Sequence, residues 1–465
     1  MVVKNKTSQR RDDWLPDVER PDIPIYLAVA EAIAADIQDG RLRGGDHLPT
    51  QRTLAKRLNL DVTTIARGYS EAARRGLVEA RVGAGTFVRR SSPQPTRVGR
   101  QFDLADRSMN QPPDVADPDV LTAIADSFQV VSESMPSVLR YQPLGGSMRD
   151  RAAAIRWLSN RGIDAGPEAV YVTAGAHVAL GAIVAKIGSP DDVIGCDQIT
   201  YSGIKEVAST LRRRLMGLPG DAHGMLPAAL DRAARENRVR VVYVNPTLRN
   251  PTVETMPIQR RSEIVQVARK HGIAIIEDDA YGMLPTAGPP PFAALAPEIT
   301  FYVTTLAKCL APGLRIAYLV APRDQRASGV LSALRAVSVM ASPVCATLAT
   351  HWIESGLADA VLASVRSSTR ARQRLLKRYL PADIVQTDEH AFHAWIRLKK
   401  PWTRAHLVDW MRGYALGVVA SDRFCVDIEA PEALRVCLGG AASLQETELA
   451  IQALWGALQT EPNAI

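Results

Sequence analysis

From about residue 102 onward, short apolar runs rich in β-branched residues alternate with amphipathic stretches of helical period, and few folds accommodate that alternation. The runs are Val170-Tyr-Val, Val193-Ile-Gly, Val239-Arg-Val-Val-Tyr-Val244, Ile273-Ala-Ile-Ile-Glu277 and Ile299-Thr-Phe-Tyr-Val303. A strand that is apolar on both faces needs cover on both. Helices between successive strands supply that cover and bring the strands back parallel. The expected body is therefore α/β, a mostly parallel sheet with helices on each side. Ligands of such sheets gather at the carboxyl ends of the strands, so residues just beyond these runs are the first candidates for chemistry.

At 465 residues the chain exceeds the length at which a single core keeps growing, and two or more domains are expected. A hydrophobic content of 46% and a mean hydropathy of -0.06 fit a globular protein. No charge-free apolar run of about 18 residues occurs, so no membrane association is expected. The stretch from Met1 to Trp14 carries charge but no apolar segment, so a secretory signal is not expected and the cytoplasm is. Cys196, Cys309, Cys345, Cys425 and Cys437 are widely spaced, with no Cys-x-x-Cys and no nearby histidine pair, which points away from disulfides and zinc. Charge is the unevenly distributed property. Residues 41–90 hold eleven Lys/Arg against four Asp/Glu, which accounts for the whole net charge of +7. A small basic module on a neutral body is the layout that nucleic-acid binding asks for.

Within that region, Tyr26, Val29, Ile33 and Ile37 fall at helical spacing over 25–39, with Gly40 as a stop. A second helix is predicted through Leu58, capped by Thr50 and turning Leu54, Ala55 and Leu58 inward. A third runs from Asp61, its cap, through Arg75 to Gly76. Residues 77–90 read as two short strands around Gly83 and Gly85, a wing. Helix, helix, recognition helix and wing make a winged helix-turn-helix. Leu48-Pro-Thr-Gln-Arg52, the pair Thr63-Thr64 and Gly83-x-Gly85-Thr-Phe-Val88 resemble the DNA-binding domain of the GntR family of bacterial regulators over residues 21–90. The resemblance implies that Arg52 and Arg67 reach bases or phosphates. It also implies that the opening turn of the third helix, with Thr63 and Thr64, enters the major groove, and that Gly83 and Gly85 approach the DNA backbone. Val62 stands where many members carry arginine. Arg74, Arg75, Arg89 and Arg90 read equally as solvated charge. Residues 91–101, with two prolines and no apolar period, are expected to be a linker.

Beyond the strands of the larger domain lie groups that suit a carbonyl cofactor with a phosphate. Lys308, in Thr305-Leu-Ala-Lys-Cys-Leu-Ala-Pro-Gly-Leu-Arg315, ends a β-branched run, where burial beside cations would lower its pKa and free a nucleophilic amine. A surface lysine at a strand end is the other reading of that residue. Thr173-Ala-Gly-Ala-His177 opens a helix whose N-terminus could hold a phosphate. Tyr201 could stack on a heteroaromatic ring or be a core tyrosine. Asn250, in Asn245-Pro-Thr-Leu-Arg-Asn, can donate to a phenolate, as can Tyr281. Asp278 ends an apolar strand, where an ionised carboxylate needs a cationic partner, and a pyridinium N–H is one. Arg435, alone in Leu434-Arg-Val-Cys-Leu438, is either a buried carboxylate site or a strand-edge arginine.

Tyr201, Asn250, Asp278, Tyr281, Lys308, Arg315 and Arg435 together resemble the fold-type I aminotransferases that use pyridoxal 5'-phosphate, over most of residues 102–465. That resemblance implies a large domain with a smaller C-terminal lobe, an internal aldimine at Lys308 and a ring nitrogen kept protonated by Asp278. A phosphate would be held by Arg315, Thr305 and the backbone of Ala176 and His177, and Arg435 would bind a carboxylate. Departures are Ala307 for a common serine, Ala176-His177 for Ser-Gln, and Val253 for a glycine, which suggest weaker hold on the phosphate. A winged helix joined by a linker to such a body is similar to the MocR subfamily of GntR regulators. The expected function is a pyridoxal-phosphate-dependent regulator that binds double-stranded operator DNA as a homodimer and senses an amine, an amino acid or the cofactor itself. An active aminotransferase with an accessory DNA-binding domain is the alternative.

Overall fold

The computed structural model describes residues 14–18, 23–39, 41–42, 45–75, 77–81, 85–88, 109–236, 239–322, 329–440 and 442–460. The chain divides into two compact units, Met1–Gln94 and Pro95–Ile465. The expected linker at 91–101, the stops Gly40 and Gly76, and Gly83, Arg89 and Arg90 lie outside the described residues.

In the first unit, helices Ile25–Gln38, Gln51–Leu58 and Val62–Arg74 precede an antiparallel strand pair, Val78–Arg81 with Gly85–Val88. The second and third helices start where the sequence offers an oxygen to an unsatisfied backbone donor. Thr50 Oγ1 accepts from Thr53 N at 3.2 Å, and Asp61 Oδ1 accepts from Thr63 N at 2.7 Å. Val29, Ile33, Leu48, Leu54, Ile65, Tyr69, Val78 and Val88 share one core. Trp14 joins that core from upstream of every predicted element, its Nε1 donating to Asp36 Oδ2 at 2.7 Å. Glycine at position 68 lets the third helix press onto the first, since a Cβ there would lie 2.9 Å from Val29 Cβ.

The second unit is built on a seven-stranded sheet in the order Val170–Thr173, Ala317–Val320, Thr300–Thr305, Ala274–Asp278, Val239–Val244, Val193–Asp197, Leu215–Leu218. Every pairing is parallel except those of Ala317–Val320, which runs antiparallel to both neighbours. Sequence reading does not single out that strand. No crossover helix precedes it; the chain turns back at Lys308 and closes with Leu306 N donating to the Ile316 carbonyl at 3.0 Å, so the return is antiparallel. Alternate residues face opposite sides, as the pleat requires. Val241 and Tyr243 pack under helix Ala176–Lys186, while Val242 and Val244 pack under helix Ile258–His271. A smaller lobe follows, an antiparallel sheet ordered Val385–Gln386, His393–Arg397, Ala433–Cys437, Gly417–Ala420 against helices Leu357–Tyr379 and Leu444–Gln459. Among the described residues no helix is long and apolar enough to cross a membrane, and no group of His, Cys, Asp or Glu is arranged to hold a metal ion.

Candidate functional site

At the carboxyl ends of the parallel strands lies an open cleft. Ala176, His177, Tyr201, Asn250, Asp278, Tyr281, Thr305, Lys308 and Arg315 all line it, together with Met109, Asn245, Ala280 and Ala307. Arg435 reaches the same place from the smaller lobe. It is buried in the strand Ala433–Cys437, and its Nη1 donates to Asn250 Oδ1 at 3.4 Å. Residues separated by more than two hundred positions are thus brought together by the sheet order.

Asp278 shows what the centre of the cleft is made for. The Tyr243 hydroxyl donates to Oδ2 at 2.8 Å, and Asn245 Nδ2 donates to the Asp278 carbonyl at 2.6 Å. Oδ1 is buried and finds no hydrogen-bond partner among the described residues. Burial pushes the carboxyl up to about 6, against the Tyr243 hydroxyl and the Ala280 N–H, which hold it down. A carboxylate oxygen enclosed and unanswered is stabilised by a cationic donor, and a protonated pyridine nitrogen is a donor of that kind. The neighbouring Asp279 is committed elsewhere, because its Oδ2 takes Arg161 Nε and the Tyr302 hydroxyl, each at 3.0 Å.

Lys308 is half-buried and lines the cleft. Loss of hydration, then the nearby Arg435 charge, push the amine down to about 8. At that value roughly a tenth of the amines are neutral at pH 7, a fraction hundreds of times larger than for a lysine in water. Nucleophilic attack on a carbonyl needs that neutral form.

One end of the cleft suits an anion. Gly175, at φ 108°, precedes the helix Ala176–Lys186, and a Cβ there would lie 2.9 Å from Arg315 Nη2. Only glycine lets the guanidinium come so close to a helix N-terminus, where backbone N–H groups and the helix dipole already favour negative charge. Thr305 Oγ1 accepts from Ala307 N at 3.2 Å and lies 3.2 Å from the Ile316 carbonyl, so the turn before Lys308 is fixed internally. Tyr201 and His177 meet edge to face at 5.7 Å, with Nε2 3.4 Å from the tyrosine oxygen. Burial lowers the His177 pKa and favours a neutral ring.

Three polar residues around the site have no role assigned in the sequence analysis. Tyr243 lies inside an apolar strand and gave no separate signal. Asn245 opens the Asn-Pro-Thr motif and was legible there; it holds both the Asp278 carbonyl and, through Oδ1, the Asn250 N–H at 2.8 Å. Asn110 had no motif around it. Its side chain donates to the Tyr281 hydroxyl at 2.9 Å, and its carbonyl accepts from Lys308 Nζ.

In the first unit, Arg52, Thr63 and Arg67 are exposed, and Thr64 is half-buried. The Thr63 hydroxyl donates to Asp61 Oδ1 at 2.6 Å, and the Arg67 guanidinium lies over the Tyr26 ring at 4.6 Å. Gly85 has an internal reason to be glycine: φ is 108°, and a Cβ would fall 2.3 Å from His47 Nε2. Arg74 and Arg75 are each paired with Glu71 at 2.7 Å, in line with the reading of these two as surface charge.

Residues 104–454 match the model of the aminotransferase class I and II family. The chain belongs to that family. Residues 25–88 match the model of bacterial regulatory proteins of the gntR family, and the two in this order are the layout of the MocR subfamily. The HTH-type transcriptional regulator YdeF of Bacillus subtilis is 29% identical over 451 residues, 95% of this chain and 96% of its own. The probable rhizopine catabolism regulatory protein MocR of Rhizobium meliloti is 26% identical over 416 residues, 83% of each chain. An archaeal alanine:glyoxylate aminotransferase superposes with a TM-score of 0.68 at 22% identity, over 76% of this chain and 89% of that one. The family's cofactor is pyridoxal 5'-phosphate, and the residues present fit it: the open Asp278 oxygen for a ring N–H, the Lys308 amine for an aldehyde, and the Gly175–Arg315 cradle for a phosphate.

Proposed function

We propose that the chain is a DNA-binding transcriptional regulator whose second unit holds pyridoxal 5'-phosphate at Lys308 and detects a primary amine, an amino acid or the cofactor itself. One observation carries the reading: a cleft equipped to condense amines shares a chain with a gntR-type unit that lies in the basic part of the sequence. When bound, the cofactor supplies an aldehyde that condenses reversibly with primary amines. Asp278 keeps its ring nitrogen protonated, Asn250 and Tyr281 donate to its phenolate, and Arg315, Thr305 and the turn at Ala176-His177 hold its phosphate. Arg435 takes the carboxylate of an amino acid effector as a bidentate partner.

Residues 21–90 are the DNA-binding part, 91–101 the linker and 102–465 the effector part. Arg52, Thr63, Thr64, Arg67 and the wing at Gly83 and Gly85 meet the operator. One such module buries too little for tight binding, so two protomers read two half-sites as a homodimer. Completeness of the polar set, Arg435 included, favours a second reading, a working aminotransferase with an accessory DNA-binding unit.

An absorbance spectrum of the full chain with pyridoxal 5'-phosphate, before and after borohydride, tests the cofactor assignment. A visible band that borohydride removes, absent in Lys308→Ala, is expected; a colourless wild type, or the same band in the variant, overturns it. Accumulation of a 2-oxo acid from an added amino acid, with no change in binding to any duplex, supports the second reading.

A further inference from the structure

Segment 109–113 crosses the cleft, and its contacts fasten it to two different walls. On the side of the large sheet, Asn110 Nδ2 donates to the Tyr281 hydroxyl at 2.9 Å, and the Asn110 carbonyl accepts from Lys308 Nζ. On the side of the smaller lobe, Gln111 N donates to Cys437 Sγ at 3.4 Å, and the Gln111 carbonyl accepts from that thiol at 3.5 Å. Pro113 pairs with Gly440 in parallel, and Gly440 N donates to the Pro112 carbonyl at 3.0 Å. A Cβ on Gly439 would lie 1.8 Å from the Gln111 carbonyl oxygen, an approach open only to glycine. The smaller-lobe attachment is therefore tight and made by backbone and thiol alone. The large-sheet attachment is different in kind. It rests on one asparagine, 2% exposed, whose Oδ1 finds no partner among the described residues, and on the amine of Lys308.

We propose that 109–113 is a strap that reports whether the Lys308 amine is free, with Asn110 as its positioning residue; this rests on the reading that Lys308 carries the cofactor. Were the amine taken up by the cofactor's aldehyde, one water would leave and the nitrogen would keep at most a single N–H, held in the plane of the C=N bond beside the phenolate oxygen and no longer free to turn toward Asn110, so the Asn110 carbonyl would lose its donor. An incoming primary amine that takes over that carbon returns Lys308 as a free amine, with no oxidant, reductant or further water, and the contact re-forms. The strap thus has two discrete states, set by differential contacts, which is what a ligand needs in order to shift an equilibrium. In the sequence, residues 95–108 lie between the strap and the first unit.

Hydrogen exchange of the full chain tests this, read on peptides spanning 109–116 in cofactor-free and pyridoxal-5'-phosphate-loaded protein, for wild type and Lys308→Met. Loading should speed exchange in wild type about tenfold, the effect of losing one hydrogen bond to a charged donor. Lys308→Met should exchange fast in both forms. Equal exchange in loaded and cofactor-free wild type overturns the strap, as does an equally large effect of loading on Lys308→Met. The side-chain contact has its own readout. Asn110→Ala removes the donor to the Tyr281 oxygen, which weakens Tyr281 as a donor to the cofactor's phenolate and should raise the pH midpoint of the visible band; an unmoved midpoint takes positioning away from Asn110. Wild type with no visible band overturns the cofactor reading underneath, whereas a normal band with unchanged exchange overturns the strap alone.

Discussion

Along the helix Val62–Arg74 of the first unit, charged groups lie at or near the surface and are answered by neighbours on the same turn, whereas in the cleft of the second unit they are enclosed and displaced from their ordinary behaviour. Glu71 takes hydrogen bonds from Arg74 and Arg75, which hold its carboxyl down to about 2, and Asp61 is lowered by Thr63. Pairs of this kind, within one helical turn near the surface, contribute little to stability. In the cleft, loss of hydration moves Lys308 down to about 8 and Asp278 up to about 6. There the fold works against itself to keep groups ready, which is the mark of a chemical site. Surface recognition in one unit and held reactivity in the other fail in different ways when a residue is changed.

The largest effect should come from confusing the two adjacent aspartates. Asp279→Asn leaves Arg161 buried without its counter-charge and should cost about 3 to 5 kcal/mol of unfolding free energy in a denaturant titration. Asp278→Asn should leave stability nearly untouched or raised and weaken pyridoxal 5'-phosphate in a spectral titration. A reversed outcome would exchange their roles.

Next in size is the stability penalty of Lys308 itself. Its folded pKa lies below the ordinary 10.5, so the folded state holds the proton less well than the unfolded one. The penalty is fully present below about pH 8 and fades as pH rises from there toward 10.5. Lys308→Met should therefore stabilise the cofactor-free protein at pH 7 by up to about 3 kcal/mol, and the gain should shrink across that window. Thermal unfolding at pH 7 and pH 10 checks it; a gain independent of pH would mean packing, not charge.

In the first unit effects should be smaller and should separate stability from affinity. Gly85→Ala, at φ 108° and against His47, should lower stability by about 1 to 2 kcal/mol. Arg52→Ala should leave the melting temperature unchanged and weaken a selected duplex by about 1 to 3 kcal/mol where it reads a base. Equal losses on selected and random duplexes would reduce Arg52 to a phosphate contact.

How much of this was legible depends on whether a signal is local. The capped helices of the first unit, the five named parallel strands and the residues that come together to line the cleft could be read, because cap residues, two-sided apolar runs and Asn-Pro-Thr or Lys-x-x-Ala-Pro-Gly-Leu-Arg spacing are local patterns. Ala317–Val320 is as apolar as its neighbours, yet its direction follows from the short return through 306–316, which holds no α-helix, and not from its composition. Asn110 and Tyr243 act through partners 171 and 35 residues away, and such pairings are absent from any window of sequence. His177 was read for its backbone alone, while its ring packs on Tyr201.

In the proposed function the cleft governs the first unit's hold on DNA. The most direct test is the affinity of the full, cofactor-loaded chain for a duplex selected from a random pool, with and without an amine that alters its visible spectrum. The account predicts an affinity change of about 5- to 150-fold on adding the amine, lost in Arg435→Ala when the amine is an amino acid. Unchanged affinity in wild type while a 2-oxo acid accumulates would contradict it and leave an aminotransferase with a DNA-binding unit attached.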